Sequence, residues 1–446
     1  MPVFSWILNL AYLGLLAAVS PILAYRMLMH RKYREGWAEK LLGQLPIRES
    51  ARPSVWFHAV SVGEVLLLER VVSALTAERP DLEIVISTTT STGRAVARSK
   101  FPDHTICYFP LDFSWSVRRA IRRVRPSAIV LVELELWPNF ILQSKRAGIP
   151  LALINARISE HSFRGYRRIR FLMRKLLGCF DVLAVQNETY SKRLLMLEAP
   201  RLRLKVTGSI KFDQVESDRA NPKTAELRRS FAIRDDETVF IAGSTQSPEE
   251  EIVLVTYLEL RQKFPRLRLI LVPRHKERFE EVAQLVLRND ALLLRRTETE
   301  NSTVTDASGP HRPVMLLDTL GELAACWGLA DIAFVGGSLT DRGGQNMIEP
   351  AGYGAALLFG PNTHNFRDVV DLLLKGDAAR VVDDGSELTA AVAEFLCHPG
   401  EARLRGQRAR QLVLTQQGAT AKTVQAITQI LPAAAADTIE RLSRAA

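Results

Sequence analysis

Cysteine is scarce in this chain and never closely spaced. Cys107, Cys179, Cys326 and Cys397 lie far apart with no CxxC pair, which argues against a zinc site and supplies no disulfide framework, as suits a reducing compartment. The eight histidines show no HExxH or comparable ligand spacing, so no metal is implied. No internal repeat recurs at a fixed period beyond a general duplication of architecture. The remainder is ordinary globular composition, 47% hydrophobic and 24% charged, with no room for extensive disorder. A chain of 446 residues exceeds what one hydrophobic core usually serves, so two domains are expected.

The charge is unevenly divided. Residues 1–211 hold 32 Lys+Arg against 16 Asp+Glu, a net +16, while the remainder holds 27 against 33, a net −6. The N-terminal half therefore faces something anionic, nucleic acid or a phosphate-bearing membrane surface, unless it is merely a well-solvated basic surface. Val3–Ala24 carries no charge and is long enough to span a bilayer. It is followed by Arg26, His30, Arg31, Lys32 and Arg34, a flank that stays cytoplasmic. A cleaved signal has its charges in the opposite order. Residues 1–30 thus read as an uncleaved anchor, with Pro21 keeping a monotopic, interface-lying helix open.

Beyond the anchor, short apolar β-branched runs alternate with helical stretches, the pattern of a parallel sheet covered on both faces. Strands are expected at Ser54–Val60, Leu82–Ser87, Ala128–Val132, Leu151–Asn155, Val182–Gln186 and Leu204–Val206. The polar stretch 214–234, with Asn221-Pro222, marks a linker between an N-terminal domain, 31–213, and a C-terminal domain, 235–410. A second series follows at Val239–Ala242, Leu267–Val272, Ala291–Leu294, Val314–Leu317, Ile332–Val335, Ala356–Phe359 and Arg380–Val382. Glu298–Pro313 reads as a polar surface loop, and 411–446 as helices that can cross back to the first domain. Two doubly wound α/β domains put a cleft between them, facing the carboxyl ends of both sheets.

In the second half, Ser247, Pro248 and Glu250 read as N-cap, first helical residue and capping box, with amides near Gly243–Thr245 able to line the cleft. Arg274 stands at a strand end, where it can meet a phosphate or a surface carboxylate. Phe334-Val-Gly-Gly-Ser-Leu and Arg-Gly-Gly-Gln-Asn-Met-Ile-Glu-Pro350 run a buried strand into two glycine pairs and a helix expected near Asn346. This is neither a Walker A nor a GxGxxG pattern, but glycines and a helix start suit an anion, and Glu349 suits ribose hydroxyls. Asp318-Thr-Leu-Gly-Glu-Leu323 is a further strand exit. In the first half, Ser61 and Glu64 form an S-x-x-E capping box, or Glu64 is a general base toward a hydroxyl. Ser87–Gly93 brings hydroxyls to another strand exit, and Glu133 and Glu135 follow a buried run, in a cleft or on an exposed surface. Arg157–Cys179 interleaves basic and aromatic or aliphatic residues, suiting an anionic lipid surface or a solvated helix face.

Taken together these segments resemble the 3-deoxy-D-manno-octulosonic acid (Kdo) transferase family. The matching pieces are Trp56-Phe-His-Ala-Val-Ser-Val-Gly-Glu64, Thr88–Gly93, Glu135-Leu-Trp-Pro-Asn139, Asn155–Ser159, Gln186-Asn-Glu188 and Thr207–Asp213 in the first half. In the second they are Ala242–Thr245, Pro273-Arg-His275, Asp318–Leu323, Val335–Leu339, Gly344–Pro350 and Asn365-Phe366. The resemblance implies a GT-B fold and inverting, metal-independent transfer of Kdo from CMP-Kdo to a lipid A precursor, lipid IVA, in lipopolysaccharide core biosynthesis at the cytoplasmic face of the inner membrane. It implies Glu64 as general base, with Glu133 and Lys211 supporting the transition state. Pro273 and Arg274, the turn Leu320, Gly321 and Glu322, and the segment Asn346, Met347, Ile348 and Glu349 match the CMP-binding positions. Gln345 departs from the pattern, standing where many relatives have His, so no acid–base role is available there. A UDP-sugar glycosyltransferase or epimerase of the same fold is the alternative enzyme. A membrane-tethered basic scaffold is disfavoured by the carboxylates and glycines at strand exits, and a nucleic-acid binder by the lack of a recognition motif.

Overall fold

Strands buried on both faces, joined by helices, dictate parallel sheets. The computed structural model, which describes residues 2–29, 35–299 and 312–433, contains two of them. The first runs through β1 (Ser54–His58), β2 (Glu83–Thr88), β3 (Thr105–Tyr108), β4 (Ala128–Val132), β5 (Leu151–Ala156), β6 (Val182–Val185) and β7 (Leu204–Val206). Its spatial order is β3-β2-β1-β4-β5-β6-β7. The second runs through β8 (Thr238–Thr245), β9 (Leu267–Pro273), β10 (Leu293–Arg295), β11 (Val314–Leu316), β12 (Ile332–Val335), β13 (Ala356–Phe359) and β14 (Ala379–Val381). Its order is β10-β11-β9-β8-β12-β13-β14. Every pairing is parallel, so all strands of a sheet end at one edge. The chain crosses from one side of its first strand to the other between β1 and β4 in the first sheet and between β8 and β12 in the second, and such switch points are where doubly wound sheets bind ligands.

The chain forms two compact units, 1–214 with 417–446 and 215–416. In the first, apolar side chains fill both faces of the sheet. Trp56, Ile129 and Leu153 point to one side, Val55, Val130 and Ile154 to the other, the two-residue period of a strand. The helix Ala419–Thr428 returns to this unit and buries Val424 and Ile427 beside Val65 and Leu68 of the helix Val62–Glu78. Asp213 fastens its start by accepting the Gly418 N–H at 2.7 Å and that of Thr420.

Several boundaries differ from the sequence reading. β3 was not expected; it is a four-residue edge strand whose Thr105 is exposed, too short and mixed to stand out. The stretch 214–234 carries the helix Pro222–Ser230, with Leu227 buried. Asn221 caps it by accepting the Thr224 N–H at 3.0 Å, and Pro222 takes the first helical position, so the Asn-Pro pair is a helix start. Ser247 and Glu250 do not form the expected cap. The helix begins at Glu249 after Pro248, and Glu250 instead meets Arg278 at 2.6 Å. Most of the loop 298–313, the basic flank 30–34 and residues beyond 433 lie outside the described residues.

The second unit contains a buried ion pair, with a third charge at its margin. Glu237 is enclosed, with Arg268 Nη1 at 2.8 Å from one oxygen and Arg312 Nε at 3.2 Å from the other. Removing the carboxylate leaves the buried Arg268 guanidinium uncompensated. Glu237→Ala is therefore expected to cost about 3–5 kcal/mol, read as a lowered urea midpoint, whereas replacing both partners with apolar residues, Glu237→Leu with Arg268→Met, should cost far less.

Candidate active site

The first sheet's switch point carries two carboxylate-bearing exits, one after β1 and one after β4. After β1 the chain turns into the helix Val62–Glu78 with Ser61 as N-cap. Ser61 Oγ accepts the Glu64 N–H at 3.3 Å and donates to Glu64 Oε1 at 2.8 Å. Glu64 Oε2 accepts the Val60 N–H at 2.9 Å. The reciprocal capping box is thus formed. Glu64 is nevertheless 8% exposed, and burial raises its pKa above the usual carboxylate value. The bonds from Val60 and Ser61 pull the other way, and the charge of Glu133 adds to the rise.

After β4 the backbone turns sharply at Glu133, which has φ +56°, a conformation that costs a non-glycine residue about 1–3 kcal/mol. Its Oε2 accepts from Arg157 Nε at 3.0 Å. Glu135, two residues on, is pushed up to about 7, chiefly by burial, then by the charges of Glu64 and Glu133. Three carboxylates therefore share one electrostatic neighbourhood. The motifs after β5, β6 and β7 meet beside it. Asn155, buried and at φ +51°, accepts the Ile210 N–H at 3.2 Å, while its carbonyl accepts from Gln186 Nε2 at 2.9 Å. Asn155 thereby fixes the 3-10 turn Ile210–Gln214 that carries half-buried Lys211. The hydroxyl run after β2 joins β1's exit through Thr89 Oγ1, which donates to the Val60 carbonyl at 3.2 Å. His58 is a core residue; burial lowers its pKa to about 3, and its ring stacks on Phe109 at 3.6 Å.

At the second switch point, β8 and β12 leave the sheet almost in contact. A Cβ on Gly336 would stand 2.5 Å from Thr245 Cα and 2.7 Å from the Ser244 carbonyl oxygen, so only glycine fits. The amides beyond it are already taken by the protein itself. Glu249, wholly buried, accepts Gly337 N–H at 2.7 Å, Ser338 N–H at 2.9 Å and Leu339 N–H at 3.0 Å, together with Gln246 N–H at 2.9 Å. Sequence reasoning missed Glu249, whose partners lie some ninety residues away in the chain. The helix expected near Asn346 begins at Ile348 and runs only to Gly352. Asn346 accepts the Ile348 N–H at 3.1 Å and donates to Glu349 Oε1 at 2.9 Å. Burial raises the Glu349 pKa, against the pull of Asn346 and of the Arg274 charge.

Arg274 follows Pro273 at the end of β9, exposed and with no ion pair among the described residues. After β11, Leu320 is exposed and Gly321 takes φ +87°. Glu322 is occupied by Arg296, 3.0 Å away at Nη2, and by Thr319. Met347 and Ile348 are buried and hold this segment in the core. The structure thus brings Glu64, Glu133 and Lys211 to the carboxyl edge of the first sheet, and Pro273 and Arg274 to that of the second. The turn at Gly321 follows β11, and Asn346–Glu349 lies between β12 and β13. Among the described residues no group of three or more His, Cys, Asp or Glu side chains is arranged to hold a metal ion.

A family model described as 3-deoxy-D-manno-octulosonic-acid transferase (kdotransferase) matches residues 35–214. A 3-deoxy-D-manno-octulosonic acid transferase of Haemophilus influenzae is 33% identical over 92% of this chain and 93% of its own. The chain belongs to the Kdo transferase family. A second relative, from Bordetella pertussis and of the same description, is 33% identical over 84% of this chain and 86% of its own. Among solved structures, a UDP-GlcNAc 2-epimerase of Neisseria meningitidis superposes with a TM-score of 0.58 at 11% identity, covering 84% of this chain and 100% of that one. At that identity it speaks to fold alone, and the fold class of this Kdo transferase family member is GT-B, two doubly wound Rossmann-like units.

The raised Glu135 pKa has a measurable sign. The folded chain holds this proton to about pH 7, whereas an unfolded carboxyl releases it near 4.5. Folded protein therefore binds more protons across that window, and stability falls as pH rises through it. Glu135→Gln removes this dependence. Its stability advantage over wild type should grow from pH 4.5 to 7 and stay level above, in urea unfolding at each pH.

Proposed function

We propose that the chain transfers Kdo from CMP-Kdo to a hydroxyl of a lipid A precursor, lipid IVA, with inversion at the anomeric carbon. Glu64 is the general base. The observation that carries this reading is a buried carboxylate with raised proton affinity at the switch point of the first sheet. As the acceptor oxygen attacks, its proton passes to Glu64, the new glycosidic bond forms, and the bond between the anomeric carbon and the CMP phosphate oxygen breaks. The hydrogen bonds from Val60 and Ser61 orient the carboxylate, while burial and the Glu133 charge make it a stronger base than a solvated glutamate. Glu133 and Lys211 support the charge that develops on the sugar.

The second unit takes the donor. Pro273 and Arg274, Leu320, Gly321 and Glu322, and Asn346, Met347, Ile348 and Glu349 are assigned to CMP. Arg274, unpaired among the described residues, offers a charge-assisted bond to the phosphate. It also stabilises the departing CMP, so the transfer is proposed to need no divalent metal. The acceptor's phosphates suit the basic N-terminal half. The helix Pro2–Met29, whose Phe4–Ile22 stretch is long and apolar enough to cross a membrane, holds the enzyme at the inner membrane with its body on the cytoplasmic side.

The test is transfer from CMP-Kdo, generated in place, to tetraacylated lipid A precursor without divalent metal in the transfer step. Glu64→Gln should lose transfer by a factor of about 10² to 10⁴ while binding CMP normally; near wild-type turnover would remove the base from the scheme. Arg274→Ala should weaken CMP binding by about 10- to 100-fold, measured by calorimetry. Turnover of UDP-sugars in place of CMP-Kdo would overturn the donor.

A further inference from the structure

The N-terminal helix is not apolar on all sides. Ser5, Asn9, Tyr12 and Leu16 fall at i, i+4, i+7 and i+11, one stripe of a helix, and that stripe faces the first unit. Asn9 is 3% exposed although it sits within the apolar run. It donates to Ser114 Oγ at 2.8 Å and accepts the Ser114 N–H at 3.0 Å and Asn139 Nδ2 at 3.3 Å. Tyr12 OH donates to Asp112 at 2.9 Å, and the same carboxylate accepts the Asn139 and Phe140 N–H groups at 3.0 and 2.8 Å. Leu16 walls an apolar pocket of about 230 Å³ with Trp37, Phe109 and Trp137. The opposite face is open, with Ile7 58% and Leu10 67% exposed, and the flanks carry Trp6 at 66% and Leu15 at 62%.

A helix that crosses a bilayer carries its middle through hydrocarbon about 30 Å thick. Asn9 and Tyr12 lie in that middle, and their partners belong to the globular unit. Crossing would drag Asp112, Ser114 and Asn139 into lipid or break each bond and strand Asn9 there, at several kcal/mol per group. Two elements beside the helix are also basic. Arg118, Arg119 and Arg122, on the helix that starts at Ser114, are exposed and make no ion pair among the described residues. Lys175 sits 5.1 Å over the Phe4 ring, on the helix that exposes Phe171. An open apolar face rimmed by cations matches an anionic lipid surface.

We infer that the N-terminal helix lies along the membrane surface instead of crossing it, with Ile7 and Leu10 in the lipid, Trp6 and Leu15 at the edges of that face, and both ends of the helix on the side of the catalytic units. This rests on the membrane reading proposed above and adds a topology to it. The pocket walled by Leu16 is also lined by Thr89 and Trp137, from the loops after β2 and β4. The helix that meets lipid thus borders the edge that carries Glu64 and Glu133.

Membrane-impermeant maleimide labelling of the full chain in vesicles decides it. Cys397 is exposed and reports the body, the other three cysteines being buried; a cysteine added at the amino terminus of a Cys397→Ser chain reports the helix. Both should label in inside-out vesicles and stay protected in right-side-out ones. Labelling of the two from opposite sides would overturn the inference, as would recovery of the chain in the soluble fraction at low salt. Kdo transfer measured in the same vesicles separates the two readings. Opposite-side labelling with intact transfer sinks the topology alone, and same-side labelling without transfer sinks the activity alone. Purified chain should also bind phosphatidylglycerol vesicles at least about tenfold better than phosphatidylcholine vesicles; equal binding would overturn the basic rim.

Discussion

A strand covered by helices on both faces can keep a charge only if it is paired, as Arg268 of β9 is by Glu237. Every residue of β4 is fully buried, as is every residue of β5 to within a per cent, and an unpaired carboxylate placed among them would be desolvated at a cost its neighbours do not offset. Unpaired carboxylates are therefore held back until the strand has left the sheet. Because all pairings are parallel, those delayed groups collect at one edge of each sheet. Glu64, Thr89, Glu133, Arg157, Gln186 and Lys211 reach the first edge from separate loops for this reason, and Arg274 and Gly336 the second.

Within that constraint, structural and chemical roles are not exclusive. Glu64 closes a capping box and remains buried enough for its proton affinity to rise. Its cap bonds hold the carboxylate in one rotamer, as the proposed base role requires, while limiting how far its pKa can climb. Glu249 shows the reverse case. A carboxylate of the protein fills the amide cradle after β12, so that cradle is closed to an outside anion, and the proposed donor site rests on the exposed Arg274 and the Asn346–Glu349 segment instead.

Much of this was legible in sequence. Thirteen strands read correctly because short β-branched runs between turn residues are distinctive, and the edge strand β3 escaped because half of it faces solvent. The exits that carry Glu64, Glu133 and Arg274 could be found from their place just after apolar runs. What could not be read was which exits touch. Asn155 joining Gln186 and Ile210 links three motifs separated by dozens of residues, and Glu249 reaches across a similar gap. The polar stripe of the N-terminal helix was hidden for another reason. Ser5, Asn9 and Tyr12 carry no charge and barely register in hydropathy averaged over the run, so their pairing with Asp112 and Ser114 emerges only in three dimensions.

The helix Ala419–Thr428 gives the architecture an order in time. It supplies Val424 and Ile427 to the core beneath the helix that begins at Ser61, and Asp213 holds its start, yet it follows the whole second unit in the chain. During synthesis the second unit can close on itself as soon as residue 416 is free of the ribosome. The first unit, begun earlier, waits with an uncovered apolar face until the returning helix arrives. Usual co-translational order, amino-terminal domain first, is thereby inverted. The half that carries the carboxylates is the last to be finished and the first to suffer from a premature stop.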